Sequence, residues 1–202
     1  MRRLLQPVKH QHRDPSLRQL TADALGKLAI IDLEYFTCDV LDRLLAWCLD
    51  KNLDQRHGAC LCLASVIPAL VENEVEIPDD RLTGIANIVM KIEKARLYRG
   101  KGGSLMRQSV SKIIEAIAAS HLTRSLKHRL RLLTTVNECI GHPKPEVPPD
   151  ALKALYALSR EFLPEETEEA VTASTTVYMG QLHSENVAFR RGYTLAFGKL
   201  PR

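Results

Sequence analysis

The sequence predicts an all-α chain, about nine short helices joined by tight connections and stacked in pairs. Three observations carry that expectation. Leucine, isoleucine, valine and alanine recur at intervals of three and four along most of the 202 residues, the spacing that gathers them on one face of a helix. No stretch shows the strict alternation of a half-buried strand. Aromatic residues make up only 5% of the chain, with a single tryptophan, Trp47, which suits helices packed through aliphatic side chains better than a β-sandwich or barrel.

Taken in order, residues 1–13 are polar and basic (Arg2, Arg3, Lys9, His10, His12, Arg13) and read as a flexible lead-in. No aromatic side chain is interleaved there to stack on bases, which argues against a nucleic-acid-binding arm. Residues 14–202 then form one helical domain. Asp14-Pro15-Ser16 opens the first helix, with proline in its first turn. It runs to about Ile31 and places Leu17, Leu20, Ala24, Leu25 and Leu28 on one face. Thr37 or Asp39 starts the second, with an apolar stripe of Val40, Leu41, Leu44, Leu45, Cys48 and Leu49. Asn52 or Asp54 opens the third, Leu53 to about Asn73, and Pro68 within it is expected to kink it or end it early. Pro78-Asp79-Asp80 opens the fourth, which continues to Lys94.

The stretch 97–108 follows, holding three of the ten glycines. Gly100 is expected to end the preceding helix in a left-handed conformation, Gly102 and Gly103 to turn the chain, and Ser104 to cap a fifth helix reaching Ala119. Two readings stand side by side here: an interhelical turn, and a contact loop presenting Arg99 and Lys101 to an acidic partner or a phosphate. The sixth helix, Thr123 to Ile140, sets Leu126, Leu130 and Leu133 on one face and Arg124, Lys127, His128 and Arg131 on the other. Residues 141–149 contain four of the ten prolines and form a stiff connector. Pro149-Asp150 opens a helix to about Leu163, Pro164-Glu165-Glu166 opens another, and Ser184-Glu185 caps the last, Asn186 to Leu200.

Four of these helices overlay on an arginine: Arg18, Arg56, Arg107 and Arg190. Six and seven places on come Ala24-Leu25, Cys62-Leu63, Ile113-Ile114 and Ala196-Phe197, and ten places on Leu28, Val66, Ile117 and Leu200. The spacings between the arginines are about 40, about 50 and about twice 40 residues, near the length of a HEAT repeat. A HEAT/armadillo-like right-handed α-α superhelix is therefore expected. Each arginine would bridge to an acidic group on the adjacent repeat, and small residues such as Gly58 would let neighbouring helices approach.

Composition narrows the function. The net charge of +4 is mild, permitting an acidic partner without implying nucleic acid. The five cysteines are odd in number, and four fall in apolar helical patterns, as buried free thiols of a reducing compartment would. Cys60-Leu61-Cys62 cannot be a zinc pair, because i and i+2 on a helix face different ways. No run is long and apolar enough for a membrane span. The loop at Gly100 lacks the spacing of a nucleotide-binding P-loop and follows a helix instead of a strand. The seven histidines show no metal-ligand pattern, and His57, one turn from Cys60, lacks an orienting acid for a catalytic dyad. No catalytic residue, metal site or cofactor is expected.

The segment Leu97-Tyr98-Arg99-Gly100-Lys101-Gly102-Gly103-Ser104-Leu105-Met106-Arg107-Gln108 closely resembles the "LYRG-GG-LMRQ" segment of the tubulin-folding cofactor D family, the tubulin-specific chaperones D. Arg56-His57-Gly58-Ala59 resembles that family's "RHG" helix, and Arg190-Arg191-Gly192-Tyr193-Thr194-Leu195-Ala196-Phe197-Gly198 resembles its "R-G-(F/Y)-(S/T)-LA-G" helix. Arg18 to Ala29 is similar to the helix before them. The likeness runs in blocks from Asp14 to Arg202, is weakest over His121 to Pro149, and implies an internal fragment of a longer solenoid. It also implies a cytoplasmic, cytoskeleton-associated chaperone that holds β-tubulin. Such a chaperone works with tubulin-folding cofactors C and E and an ADP-ribosylation-factor-like small GTPase, and the full assembly stimulates GTP hydrolysis by tubulin. The residues expected at the partner are Arg99, Lys101, Arg124, Lys127 and Arg131. The motif positions Arg18, Arg56, Gly58, Gly100, Gly102, Gly103, Arg107, Arg190 and Gly192 are expected to be structural. The competing reading is a HEAT-repeat adaptor of another pathway; a nucleic-acid-binding helical array ranks below both.

Overall fold

The apolar periodicity resolves, in the computed structural model, into helices in two layers. The structure describes residues 13–162 and 168–200, so the basic lead-in, apart from Arg13, and the Pro164-Glu165-Glu166 helix opening lie outside the described residues. In chain order the helices are α1 (Pro15–Ala29), α2 (Leu33–Tyr35, continuing through a π-helical turn Phe36–Val40 into Leu41–Trp47), α3 (Leu53–Glu72) and α4 (Asp79–Lys94). They are followed by α5 (Gly103–Ala119), α6 (Leu126–Ile140), α7 (Pro148–Phe162), α8 (Glu168–Gln181) and α9 (Val187–Phe197). No strand occurs among the described residues.

The odd-numbered helices form one layer, α1 on α3, α3 on α5, α5 on α7 and α7 on α9. The even-numbered helices lie across them, with α2 against α3 and α4, and α6 against α5, α7 and α9. Stacked helix pairs of this kind, each contacting mainly its neighbours, make an α-solenoid. One apolar core fills the space between the layers, from Ala22 and Leu25 through Leu63, Ile67, Ile113 and Ile117 to Leu155, Leu158 and Ala196. Each leucine or isoleucine among these contributes about 1.5–3 kcal/mol on burial. Lys112 adds a polar tie across the odd layer, donating to Gln19 Oε1 on α1 at 3.2 Å and facing Asp150 on α7 at 3.7 Å.

Most helix starts follow the capping chemistry legible in the sequence. Asp14 accepts from Ser16 N at 2.8 Å, and Asn52 from Asp54 N and Gln55 N. The last helix is capped by Asn186, which accepts from Ala188 N, and not by Ser184-Glu185. Several expectations need correction. The second helix starts at Leu33, capped by Asp32, not at Thr37 or Asp39, because the Asp32 carboxylate reaches Tyr35 N at 3.2 Å. Pro68 neither ends α3 nor divides it. Leu63, Ile67 and Leu70 are fully buried on both sides of it, and Pro68 itself is half-exposed at the surface of the odd layer, so core packing carries the helix past the missing hydrogen bond.

Two helices are turned relative to the sequence reading. α1 buries Arg18, Ala22, Leu25, Gly26 and Ala29, and leaves Leu17, Leu20 and Ala24 exposed. α6 buries His128, Leu132, Thr135, Val136, Cys139 and Ile140, while Leu126 and Leu130 are exposed. Both helices carry two apolar stripes at helical spacing, and packing against α3, or against α5 and α7, selects one of them.

The arginine ladder is also revised. Arg18, 3% exposed, reaches from α1 to α3, with Nη1 on Asp54 Oδ1 at 2.6 Å and Nε donating to His57 Nδ1 at 3.0 Å. Arg107 on α5 faces Glu138 on α6 at 3.6 Å. Among the described residues, Arg56 and Arg190 make no bridge to a neighbouring repeat. Arg56 Nη1 donates to Lys51 O at 2.8 Å, and Arg190 Nη1 to Ser184 O at 2.6 Å, because the preceding loops bring carbonyls within reach. Gly58 is buried in α3, and Gly192 marks the approach of α9 to α6, where a Cβ would stand 2.0 Å from Ile140 O.

Candidate functional site: a basic cleft beside the central loop

The central loop begins with a left-handed residue, and that residue is Arg96 (φ 57), not Gly100. Arg96 N donates to Glu93 O at 2.8 Å and Leu97 N to Ile92 O at 3.2 Å, the paired bonds of a Schellman motif, with Leu97 packed on the core. Glu74 (φ 54) and His121 (φ 54) close α3 and α5 in the same way. Gly100 (φ 74) shapes the loop further on, with open space where its Cβ would be. Gly102 (φ 86), not Ser104, is the N-cap of α5; Ser104 Oγ instead accepts from Lys144 Nζ at 3.3 Å. A side chain at Gly102 would be strained in backbone and would meet Leu53 Cδ2 at 2.1 Å. One at Gly103 would meet Tyr98 O at 2.1 Å. The glycines therefore seat the loop against α3 and fix Tyr98.

Between the end of α4, this loop and α6 lies a cleft of about 630 Å³. Tyr98 and Arg107 meet there, the guanidinium 4.9 Å from the ring centroid. The Tyr98 hydroxyl is enclosed without a hydrogen-bond partner, and burial pushes its titration far above the usual phenol range. α6 contributes Arg131, Thr134, Thr135 and Glu138, a single face at i, i+3, i+4 and i+7. Both cleft carboxylates are matched within it. Glu138 faces Arg107 at 3.6 Å, while Glu93 accepts from Thr135 Oγ1 and faces Arg131 at 3.6 Å. Lys94, Arg96 and Arg99 also line the cleft, all exposed, and no carboxylate of the described residues pairs with them. The cleft thus carries five cationic side chains against two carboxylates.

Of the residues expected at a partner, the structure brings Arg99 and Arg131 together in this cleft. Lys101 is exposed on the neighbouring loop, outside the lining. Lys127 is exposed on α6 between Leu126 and Leu130. Arg124 is engaged by α4, with Nη2 on Asp79 Oδ1 at 2.8 Å and Nη1 donating to Thr83 Oγ1. His128, expected on the same basic face, is buried, and burial lowers its pKa. Lys94, Arg96 and Glu93 were missed because they sit at the helix end, where the sequence reads only as a basic turn. The i, i+3, i+4, i+7 face of Arg131, Thr134, Thr135 and Glu138 is the signal that points to them.

His57 Nδ1 accepts from Arg18 Nε, and burial, then the charges of Arg18 and Lys112, hold its pKa down to about 3. Among the described residues no group of three histidine, cysteine or acidic side chains is placed to hold a metal ion. None of the described helices is long and apolar enough to cross a membrane. A second cleft of about 770 Å³, between α5, α7 and the end of α9, mixes Glu115 and Glu161 with Lys153, Arg160 and Lys199, and holds none of the expected partner residues.

The fold and cleft define an α-solenoid with a locally basic recess. The chain matches none of the models of known protein families. It is 27% identical over 115 residues to tubulin-specific chaperone D of Dictyostelium discoideum, which covers 56% of this chain. The matched part is 8% of that much longer relative. The solved crystal structure of an engineered protein overlies 97% of each chain, at a TM-score of 0.37 and 14% identity, too loosely to support any conclusion.

Proposed function

We propose that this chain is a non-enzymatic segment of a tubulin-folding chaperone, a HEAT-type right-handed scaffold that holds β-tubulin while the αβ dimer is assembled or taken apart. The observation that carries this reading is the 27% identity over 115 residues to tubulin-specific chaperone D. It is supported by the likeness of residues 97–108 to that family's central motif and by the exposed Arg99 and Lys101 on the loop. Tubulin is acidic, and a stacked-helix surface with a basic recess suits a large acidic client. In the complete assembly the segment would act in the cytoplasm, at the cytoskeleton. It would work with tubulin-folding cofactors C and E and an ADP-ribosylation-factor-like small GTPase, and the assembly would stimulate GTP hydrolysis by tubulin.

Size-exclusion chromatography of the chain with purified αβ-tubulin tests the reading. Co-elution that weakens as salt is raised is the expected result. Separate elution at low salt would favour an adaptor of another pathway.

A further inference from the structure

We propose that the cleft between α4, the central loop and α6 is a binding site for an acidic peptide segment, with Arg96 and Arg99 as its principal contacts. The proposal deepens the chaperone reading and rests on it only for the identity of the client.

Two of the five cations of the cleft already face carboxylates of the described residues, and three do not. Arg107 and Arg131 each face one of the two cleft carboxylates, Glu138 and Glu93, at 3.6 Å. Lys94, Arg96 and Arg99 then remain around the same recess, exposed and without a carboxylate partner among the described residues. Like charges gathered this closely repel one another, and a ligand carrying carboxylates relieves that repulsion as it binds. Arg96 and Arg99 also present guanidinium forks that match a carboxylate in two-point contact. Their backbones are fixed beforehand, Arg96 N donating to Glu93 O and Arg99 N to Arg96 O at 3.2 Å, so that the ordering left for binding is that of the exposed side chains.

A peptide fits better than a nucleic acid. The one aromatic ring of the recess, Tyr98, is packed on the core with Arg107 over one face, which leaves little of it for a base to stack on. Glu93 and Glu138 would oppose a continuous phosphate backbone, whereas a peptide can place its carboxylates away from them.

The test uses a fluorescent peptide of eight consecutive glutamates and the whole 202-residue chain, followed by anisotropy at low salt. Binding is expected, weakening as salt rises, and falling about tenfold or more in Arg96→Ala/Arg99→Ala. Lys27→Ala/Lys51→Ala removes the same charge from exposed sites elsewhere and is expected to change affinity less than about twofold. Circular dichroism melting confirms that both variants are folded. Absence of binding, or equal loss in the two variants, would overturn the proposal. So would tighter binding of single-stranded DNA of eight nucleotides at the same residues. Binding of the glutamate peptide with the expected variant dependence, but no association with tubulin, upholds this site and overturns the chaperone reading instead.

Discussion

His57 is the buried group whose protonation bears most on folding. Its pKa in the folded chain is about 3, below the ordinary 6.5, so below pH 6.5 the unfolded chain binds a proton that the folded chain refuses. The stability present above pH 6.5 is therefore lost as pH falls from there toward 3, by about 2 kcal/mol at pH 5. His57→Asn keeps an acceptor for Arg18 and removes the titration; urea unfolding at pH 7 and pH 5 should show a smaller loss for the variant than for wild type. An equal loss would place the acid sensitivity elsewhere. The left-handed residues give a second prediction at this scale. Glu74 occupies a conformation that costs an ordinary side chain about 1–2 kcal/mol, against about 0.5–1 kcal/mol of chain entropy for glycine, so Glu74→Gly should gain about 0.5 kcal/mol. Gly102→Ala, with both a positive φ and a collision with Leu53, should lose more than 2 kcal/mol, or roughly that. Thermal melts of the two variants should move in opposite directions. The glycines that shape the loop were legible from their identity. Arg96, Glu74 and His121 were not, because residue type says nothing of a positive φ when the residue is not glycine.

Between elements, the firmest polar joint is that of α1 to α3 through Arg18. Arg18→Ala would strand Asp54 and leave His57 Nδ1 without its donor, costing about 2–3 kcal/mol. Amide exchange should then quicken in α1 more than in α5; uniform quickening would mean that the bridge is not local to that joint. Helix positions and the caps Asp14 and Asn52 were readable from the sequence because each acts within three residues of itself, whereas Ser125 and Asn186 were passed over for a start at Thr123 and a cap at Ser184-Glu185. Which face of a helix turns inward was less readable. α6 offers Leu126, Leu130 and Leu133 or Leu132, Val136 and Ile140 at equally good spacing, and only the neighbouring helices decide between them. That rotation moved His128 out of the expected basic face and left Arg131 in the cleft, while Arg124 lies before the helix and is held by Asp79 and Thr83. Arg18 and Arg107 bridge helices as anticipated, whereas Arg56 and Arg190 bond carbonyls of loops whose paths the sequence does not specify.

At the scale of the molecule, the two-layer stack was legible because its signal is repeated along the chain, and one irregular turn such as Phe36–Val40 does not erase it. The cleft was legible only in part, since it joins positions about 40 residues apart on α4 and α6. Leu17, Leu20 and Ile31 remain exposed on and just after α1, with no described helix against them. Such a stripe promotes association between copies, so sedimentation should show concentration-dependent self-association that Leu20→Glu reduces. On the proposed function, the chain would engage tubulin from its loop side. Capture of β-tubulin by the immobilised chain, beside Arg99→Glu/Lys101→Glu, tests it most directly. Capture by the wild type and its loss in the charge-reversed chain are expected; no capture by either, or undiminished capture by the variant, would overturn the proposal.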